Sequence, residues 1–176
     1  MMIIPHIPLR LFHGSALPDL TSLKIAFAQN DTPLGPGVYL TEDPLVARCY
    51  SKDLGKIYEV EVRGNRSYVI NLDEPFKKQT FEARSSIIKL LHLAKCEMPS
   101  TDKLDARKII QMTQSKFTKE ERNLRLAQLG IWMIFGTLDC YESNGRGDRG
   151  IQYVILEDTS IMSVKPYIKQ VEPSEV

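Results

Sequence analysis

Gly37-Val38-Tyr39-Leu40-Thr41, running on into Glu42-Asp43-Pro44, is the stretch on which the reading of this chain turns. Gly37 to Leu40 reads as a short strand. Asp43-Pro44 then gives a helix start, a capping carboxylate followed by proline at the first helical position. That helix runs to about Ser51, with Leu45, Val46, Ala47, Cys49 and Tyr50 available for burial. Glu42 and Asp43 read as helix-start carboxylates, favoured at the positive end of the helix dipole. One tyrosine, Tyr39, therefore sits on the strand, and a second, Tyr50, follows on the helix.

Upstream, Leu11-Phe12-His13-Gly14-Ser15 puts a histidine and a glycine at the end of an apolar run. Leu9 to Phe12 reads as a strand that delivers His13-Gly14 at its end. Residues 16–36 look irregular, with Pro18, Asn30-Asp31, Pro33 and Gly35-Pro36-Gly37 as breakers. Leu20, Leu23, Ile25 and Phe27 are expected to anchor this stretch to the core. Two tyrosines beside a His-Gly turn make a slot for a flat, positively charged ring, because an aromatic face attracts a cation by roughly 0.5–2 kcal/mol.

Downstream, Ile57 to Arg63 alternates apolar and polar residues in most positions, as a half-buried strand does. Asn65 marks a turn, Tyr68 to Leu72 another strand, and Asp73-Glu74-Pro75 its end. Residues 79–129 read as helical. Phe81, Ile87, Leu91 and Ala94 lie roughly on one stripe, and Ile109, Ile110, Met112 and Phe117 form the apolar part of the next element. Thr118 with Glu121 is a capping box that opens a third helix, stopped by Gly130. Strands return at Ile131 to Phe135, Ile151 to Glu157 and Ile161 to Val164. A polar loop containing Gly145-Arg-Gly-Asp-Arg-Gly150 separates the first two of these.

The totals set the frame. At 176 residues the chain suits one well-buried domain spanning 1–176. The 43% hydrophobic and 26% charged fractions are those of an ordinary globular protein. A net charge of +1 calls for no polyanionic partner, so nucleic acid is an unsupported possibility. Three unpatterned cysteines suit a reducing compartment, and a cytoplasmic location is expected, in a host or target cell if the protein is delivered there. The start of the chain lacks the basic flank and length of a signal peptide or membrane span. Cys49, Cys96 and Cys140 with His6, His13 and His92 show no zinc-ligand spacing, so no metal is expected. The glycine-rich loop lacks the lysine and following helix of a phosphate-binding loop.

Phe12-His13-Gly14-Ser15, then Gly37 to Thr41, the helix end at Ala47 to Tyr50, and Gln152-Tyr153-Val154-Ile155 together resemble the ADP-ribosyltransferase fold. The likeness is nearer to its diphtheria-toxin-like branch, which includes the poly-ADP-ribose polymerases. Compact phage and bacterial members of that group include toxins and one anti-CRISPR factor. The resemblance covers residues 9–72 and 150–164, leaving the helical block at 79–129 as an insertion. It implies an α+β domain whose two packed, mainly antiparallel sheets form a cleft for NAD, used as substrate. On that reading His13 holds a ribose hydroxyl, and the Gly14 backbone pairs with the nicotinamide carboxamide. Ser15 and Thr41 complete the binding set, and Tyr39 and Tyr50 sandwich the nicotinamide ring.

One residue departs from the family pattern. The branch places a glutamate just before the tyrosine of the late strand, and here that residue is Gln152. Glutamine can accept a hydroxyl's hydrogen bond but brings no negative charge. Losing one well-placed charge-stabilising group costs about 3 kcal/mol of barrier, some hundredfold in rate. Asp148 is the first candidate to substitute, with Glu142 and Asp139 next. Each residue also has a plainer reading: His13 as a structural hydrogen-bonder, Tyr39 as core, Gln152 facing solvent, Asp148 in a turn.

The function expected is mono-ADP-ribosyl transfer from NAD+ to a macromolecule, a protein before a nucleic acid, with the helical block choosing the target. The alternatives are NAD+ hydrolysis, a silent ADP-ribose- or partner-binding domain, and a tRNA 2′-phosphotransferase-like enzyme. The last of these wants a cluster of arginines around the phosphate.

Overall fold

The computed structural model describes residues 10–27, 32–51, 55–99, 104–138 and 150–168. Seven strands are present: β1 (Arg10–Ser15), β2 (Val38–Thr41), β3 (Lys56–Val62), β4 (Val69–Asn71), β5 (Met133–Leu138), β6 (Gly150–Ile155) and β7 (Ile161–Pro166). Four helices accompany them: α1 (Pro44–Ser51), α2 (Phe81–Leu93), α3 (Ala106–Gln111) and α4 (Lys119–Gln128). The fold is α+β. The strands form one sheet in the order β4-β5-β6-β2-β1-β3-β7, antiparallel except for the parallel pair β4 and β5.

Local chemistry explains most boundaries. Asp43 caps α1 by accepting the Leu45 N–H at 2.7 Å. Thr80 and Asp105 cap α2 and α3 by accepting the N–H groups of Ala83 and Lys108. Thr118 and Glu121 form the reciprocal box that opens α4. Gly130, at φ +90°, turns the chain out of α4 in the left-handed region that suits glycine. Phe81 does not join the α2 stripe and is 64% exposed. At about 100° per residue, a position six before Ile87 stands about 120° round the helix. Ala83, Ile87, Leu90, Leu91 and Ala94 make the buried face instead.

A single sheet replaces the expected pair, yet it cannot lie flat. In a flat sheet β3 and β4 would stand five strand spacings apart, about 24 Å. Seven residue steps join Val62 to Val69, and a 3-10 turn at Arg66–Tyr68 shortens their reach to about 20 Å. The sheet therefore folds over, closing on one apolar face. That face carries Leu11, Tyr58, Val60 and Val62 from β1 and β3, with Val38, Leu40, Met133, Phe135, Tyr153 and Ile155 from the other half. Trp132 joins the same cluster and donates its indole N–H to the Asn65 carbonyl at 2.8 Å. Leu20, Leu23 and Ile25 pack against it as expected, while the Phe27 side chain lies outside what is described.

The opposite face differs between the halves. Over β4, β5 and β6 the helices bury Ile70, Leu72, Ile134 and Val154 against Ile87, Leu90, Ile109 and Leu126. Over β1 and β3 it carries the Arg10–Glu59 ion pair, Glu61 and α1. The helical block thus closes one of the two core clusters. No helix among the described residues is long and apolar enough to cross a membrane.

Candidate functional site

At the seam between the two halves, His13 reaches the Tyr39 carbonyl, and Gln152 and Tyr50 are bonded beside it. Strand β1 pairs with β3 at six positions and β2 pairs with β6 at four. Between β1 and β2 the register holds only Phe12↔Thr41. Beyond that rung the two strands part, leaving ladder groups that a continuous sheet would have paired.

His13 fills part of the gap. Its Nδ1 lies 2.9 Å from the Tyr39 carbonyl oxygen. A carbonyl can only accept, so Nδ1 carries the proton and Nε2 of the neutral ring is left as an acceptor. Burial pushes the imidazole pKa below its ordinary value, with the Tyr39 carbonyl bond opposing it, so the ring is neutral near pH 7. His13-Gly14-Ser15 lies inside β1 and not at a turn beyond it, because pairing with Tyr58, Ile57 and Lys56 prolongs the strand through residues of weak strand propensity. Gly14 is required by packing: a Cβ there would stand 1.7 Å from the Ala47 carbonyl oxygen. The missing side chain lets α1 lie directly on β1. The Ser15 hydroxyl oxygen accepts the Leu17 N–H at 3.1 Å, and Thr41 Oγ1 accepts the Asp43 N–H at 3.3 Å.

Tyr39 and Tyr50 are anchored differently. Tyr39 is half-buried; its hydroxyl donates to the Gly35 carbonyl and accepts the Leu34 N–H, both at 2.9 Å. Burial drives its pKa up, against lowering contributions from Thr32, Leu34 and Arg122. Tyr50 is 47% exposed on α1. Gln152, only 2% exposed, donates its amide N–H to the Tyr50 hydroxyl at 3.0 Å. The plainer solvent-facing reading of Gln152 is therefore not what is seen. Gln152 pairs with Thr41, which in turn pairs with Phe12 on β1, so Gln152 and Tyr50 sit beside the parting strands. Asp148, Glu142 and Asp139 lie outside the described residues.

Three groups escaped the sequence reading. Asp73 accepts from Arg107 at 2.6 Å and from the Thr137 N–H and hydroxyl at 2.6 and 2.8 Å. This cluster lies over Gly136, the cross-strand partner of Gln152. Burial raises the Asp73 pKa, but the Arg107 and Thr137 bonds outweigh it and hold the carboxyl below its ordinary value. Glu42, expected at the helix start, instead accepts the Tyr153 hydroxyl in a short bond. Burial, then that bond and its charge, push the Tyr153 pKa well up. Arg122 and Asn123, both 4% exposed, hold the loop that carries Tyr39. These contacts join residues about 30 to 110 positions apart, where no periodicity or spacing signal reaches. Among the described residues no group of three His, Cys, Asp or Glu side chains could hold a metal ion.

No family model matches the chain, and no curated protein matches it. It is similar to a solved structure described as that of an anti-CRISPR protein, at 14% identity and a TM-score of 0.41. The likeness covers 90% of this chain and 94% of that one. At that level it assigns neither a fold family nor an activity.

Proposed function

We propose that this protein cleaves NAD+ and transfers the ADP-ribose to a macromolecular acceptor, as a mono-ADP-ribosyltransferase. The observation that carries the reading is the opening between β1 and β2, with a neutral His13 held in it by the Tyr39 carbonyl. A neutral imidazole with Nδ1 engaged offers Nε2 to a ribose hydroxyl. Tyr39, partly packed against the helical core, and Tyr50, bonded to Gln152, are the two aromatic rings this reading assigns to the cationic nicotinamide. The bond broken is the one joining the ribose anomeric carbon to the ring nitrogen. Its electron pair leaves with nicotinamide, which becomes neutral. The acceptor's nucleophilic atom bonds to the anomeric carbon and gives up its proton. Because cation attraction fades as the ring becomes neutral, stacking orients the substrate more than it lowers the barrier.

Gln152 shapes what kind of catalyst this is. A buried amide fixed to Tyr50 cannot supply the negative charge that steadies an oxocarbenium-like ribose, nor activate an acceptor hydroxyl as a base. Single, slow transfer fits that site, and chain elongation does not. Gln152 also favours a second reading, a domain that binds ADP-ribose or a partner without turnover. NAD+ hydrolysis differs from transfer only in using water as acceptor. Two arginines near the site do not serve the phosphotransferase reading, since Arg107 is paired with Asp73 and Arg122 is committed to the Leu34 carbonyl.

The test is to incubate the purified protein with NAD+ labelled separately in its nicotinamide and adenylate halves, with and without a cell lysate. Transfer predicts free nicotinamide together with adenylate label on macromolecules, both lost in His13→Ala. Nicotinamide without attached label would indicate hydrolysis. Binding with no nicotinamide released would select the silent domain and overturn the enzyme reading.

A further inference from the structure

We propose that Arg122 and Asn123 of α4 are positioning residues for Tyr39, so that the helical block sets the ring on which the nicotinamide stacks. The stacking partner rests on the NAD+ reading above; the positioning itself does not. The link is a chain of hydrogen bonds through the turn at residues 32–35. Gly35 closes that turn by donating to the Thr32 carbonyl at 3.1 Å, and the Thr32 hydroxyl donates back to the Gly35 carbonyl at 2.6 Å. On one side of the turn the Tyr39 hydroxyl bonds Gly35 and Leu34. On the other, Asn123 Nδ2 donates to the Leu34 and Pro36 carbonyls at 2.9 and 2.8 Å. Arg122 Nη2 donates to the same Leu34 carbonyl, and its Nε and Nη2 both donate to Asn123 Oδ1. Lys119 Nζ adds a bond to the Thr32 carbonyl at 3.1 Å.

The fit leaves no slack. Gly35 has φ +84°, and a Cβ there would stand 2.7 Å from Lys119 Cβ. Any other residue would push the turn off α4 or strain the backbone. Arg122 is nearly fully buried, and among the described residues no carboxylate forms an ion pair with it. A buried cation without a counter-ion is a poor way to gain stability, since apolar side chains of similar volume serve at least as well. What the guanidinium and amide add is direction: they fix the carbonyls whose own turn fixes the Tyr39 hydroxyl. With Nδ1 of His13 on the Tyr39 carbonyl, that residue is held at both its backbone and its hydroxyl. The helical block is then part of the site's scaffold, beyond any role in choosing targets.

The experiment compares wild type, Asn123→Ala, Tyr39→Phe and their double variant, with Arg122→Ala and Arg122→Lys alongside. Nicotinamide-release kinetics and the NMR signals of 13C-labelled tyrosine rings are read on each. Positioning predicts that each single variant raises KM for NAD+ about tenfold while kcat moves less than about twofold. The double variant should be no worse than either single one, because both cut the same chain. Arg122→Lys, which keeps one donor for Leu34, should recover most of what Arg122→Ala loses. The Tyr39 ring signal should shift and its flipping quicken in folded Asn123→Ala. A folded Asn123→Ala with unchanged Tyr39 signal and KM overturns the proposal, as do additive effects in the double variant. If Asn123→Ala does not fold, Tyr39→Phe decides, since it leaves the contacts of α4 intact: an unchanged KM then contradicts positioning. If the wild type releases no nicotinamide, the enzyme reading fails and the ring signals alone judge the positioning.

Discussion

The two halves of the sheet are buried to different depths, and the candidate site lies where they meet. Strands β4, β5, β6 and β2 carry apolar side chains on both faces, one closed by the folded-over sheet and one by the helices. Strands β1, β3 and β7 pack one face into the shared cluster, while the other carries charged residues and, over β1 and β3, α1. The first half is closed by packing on both faces; the second is held to it by the shared apolar face. Between β1 and β2 the sheet itself contributes one rung, Phe12↔Thr41, reinforced by His13 and by α1 lying on Gly14. The contrast shows how a sheet can be opened by withholding hydrogen bonds between two strands, provided each side has another source of support.

The comparison is most exposed to substitutions on its two sides. Ile134→Ala, in the doubly covered half, should cost about 2–5 kcal/mol in urea unfolding, as deletions from closed cores do. Gln152→Glu places a carboxylate on the seam and should raise nicotinamide release about hundredfold once ionised. An unchanged rate in a folded Gln152→Glu would mean that charge at this rung is not what limits the reaction. Gly14→Ala attacks the reinforcement of the seam. With 1.7 Å between the new Cβ and the Ala47 oxygen, α1 must shift, at about 1–3 kcal/mol in the same unfolding assay.

His13 gives the seam a pH signature. Its folded pKa lies below the ordinary 6.5, so between the two values the unfolded chain binds a proton that the buried ring refuses. Unfolding free energy should therefore rise with pH up to about 6.5 and then flatten, with a slope of at most about 1.4 kcal/mol per pH unit from this group. His13→Asn should remove that share of the slope, which denaturation curves across the range would reveal. The smallest effect belongs to the charged face of the thin half. Arg10→Ala breaks the exposed pair with Glu59 and should change stability by less than about 1 kcal/mol.

Local signals carried the sequence reading well. The caps at Asp43 and Thr118, the turn at Asn65, the stop at Gly130 and the alternation along β3 all rest on neighbours a few residues apart. Of the residues that the family resemblance points to, His13 reaches the Tyr39 carbonyl and Gln152 the Tyr50 hydroxyl, both beside the Phe12↔Thr41 rung, while the Tyr39 side chain packs toward the helical core. The misses share a cause. Strand order, the folding-over of the sheet and the end of β1 depend on partners distant in the chain, as do the Asp73–Arg107 cluster and the Arg122–Asn123 hold on Leu34. Phe81 departs from its stripe for a smaller reason, lying a third of a helical turn out of phase with Ile87.

Titrating unlabelled NAD+ into the 15N-labelled protein asks whether the parted strands β1 and β2 receive it. Entry there should shift only the backbone of His13 and Gly14, the neighbourhoods of Tyr39 and Tyr50, and the Gln152 side-chain amide, all weakened in His13→Ala. Shifts that leave those residues untouched, or none at saturating NAD+, would contradict it.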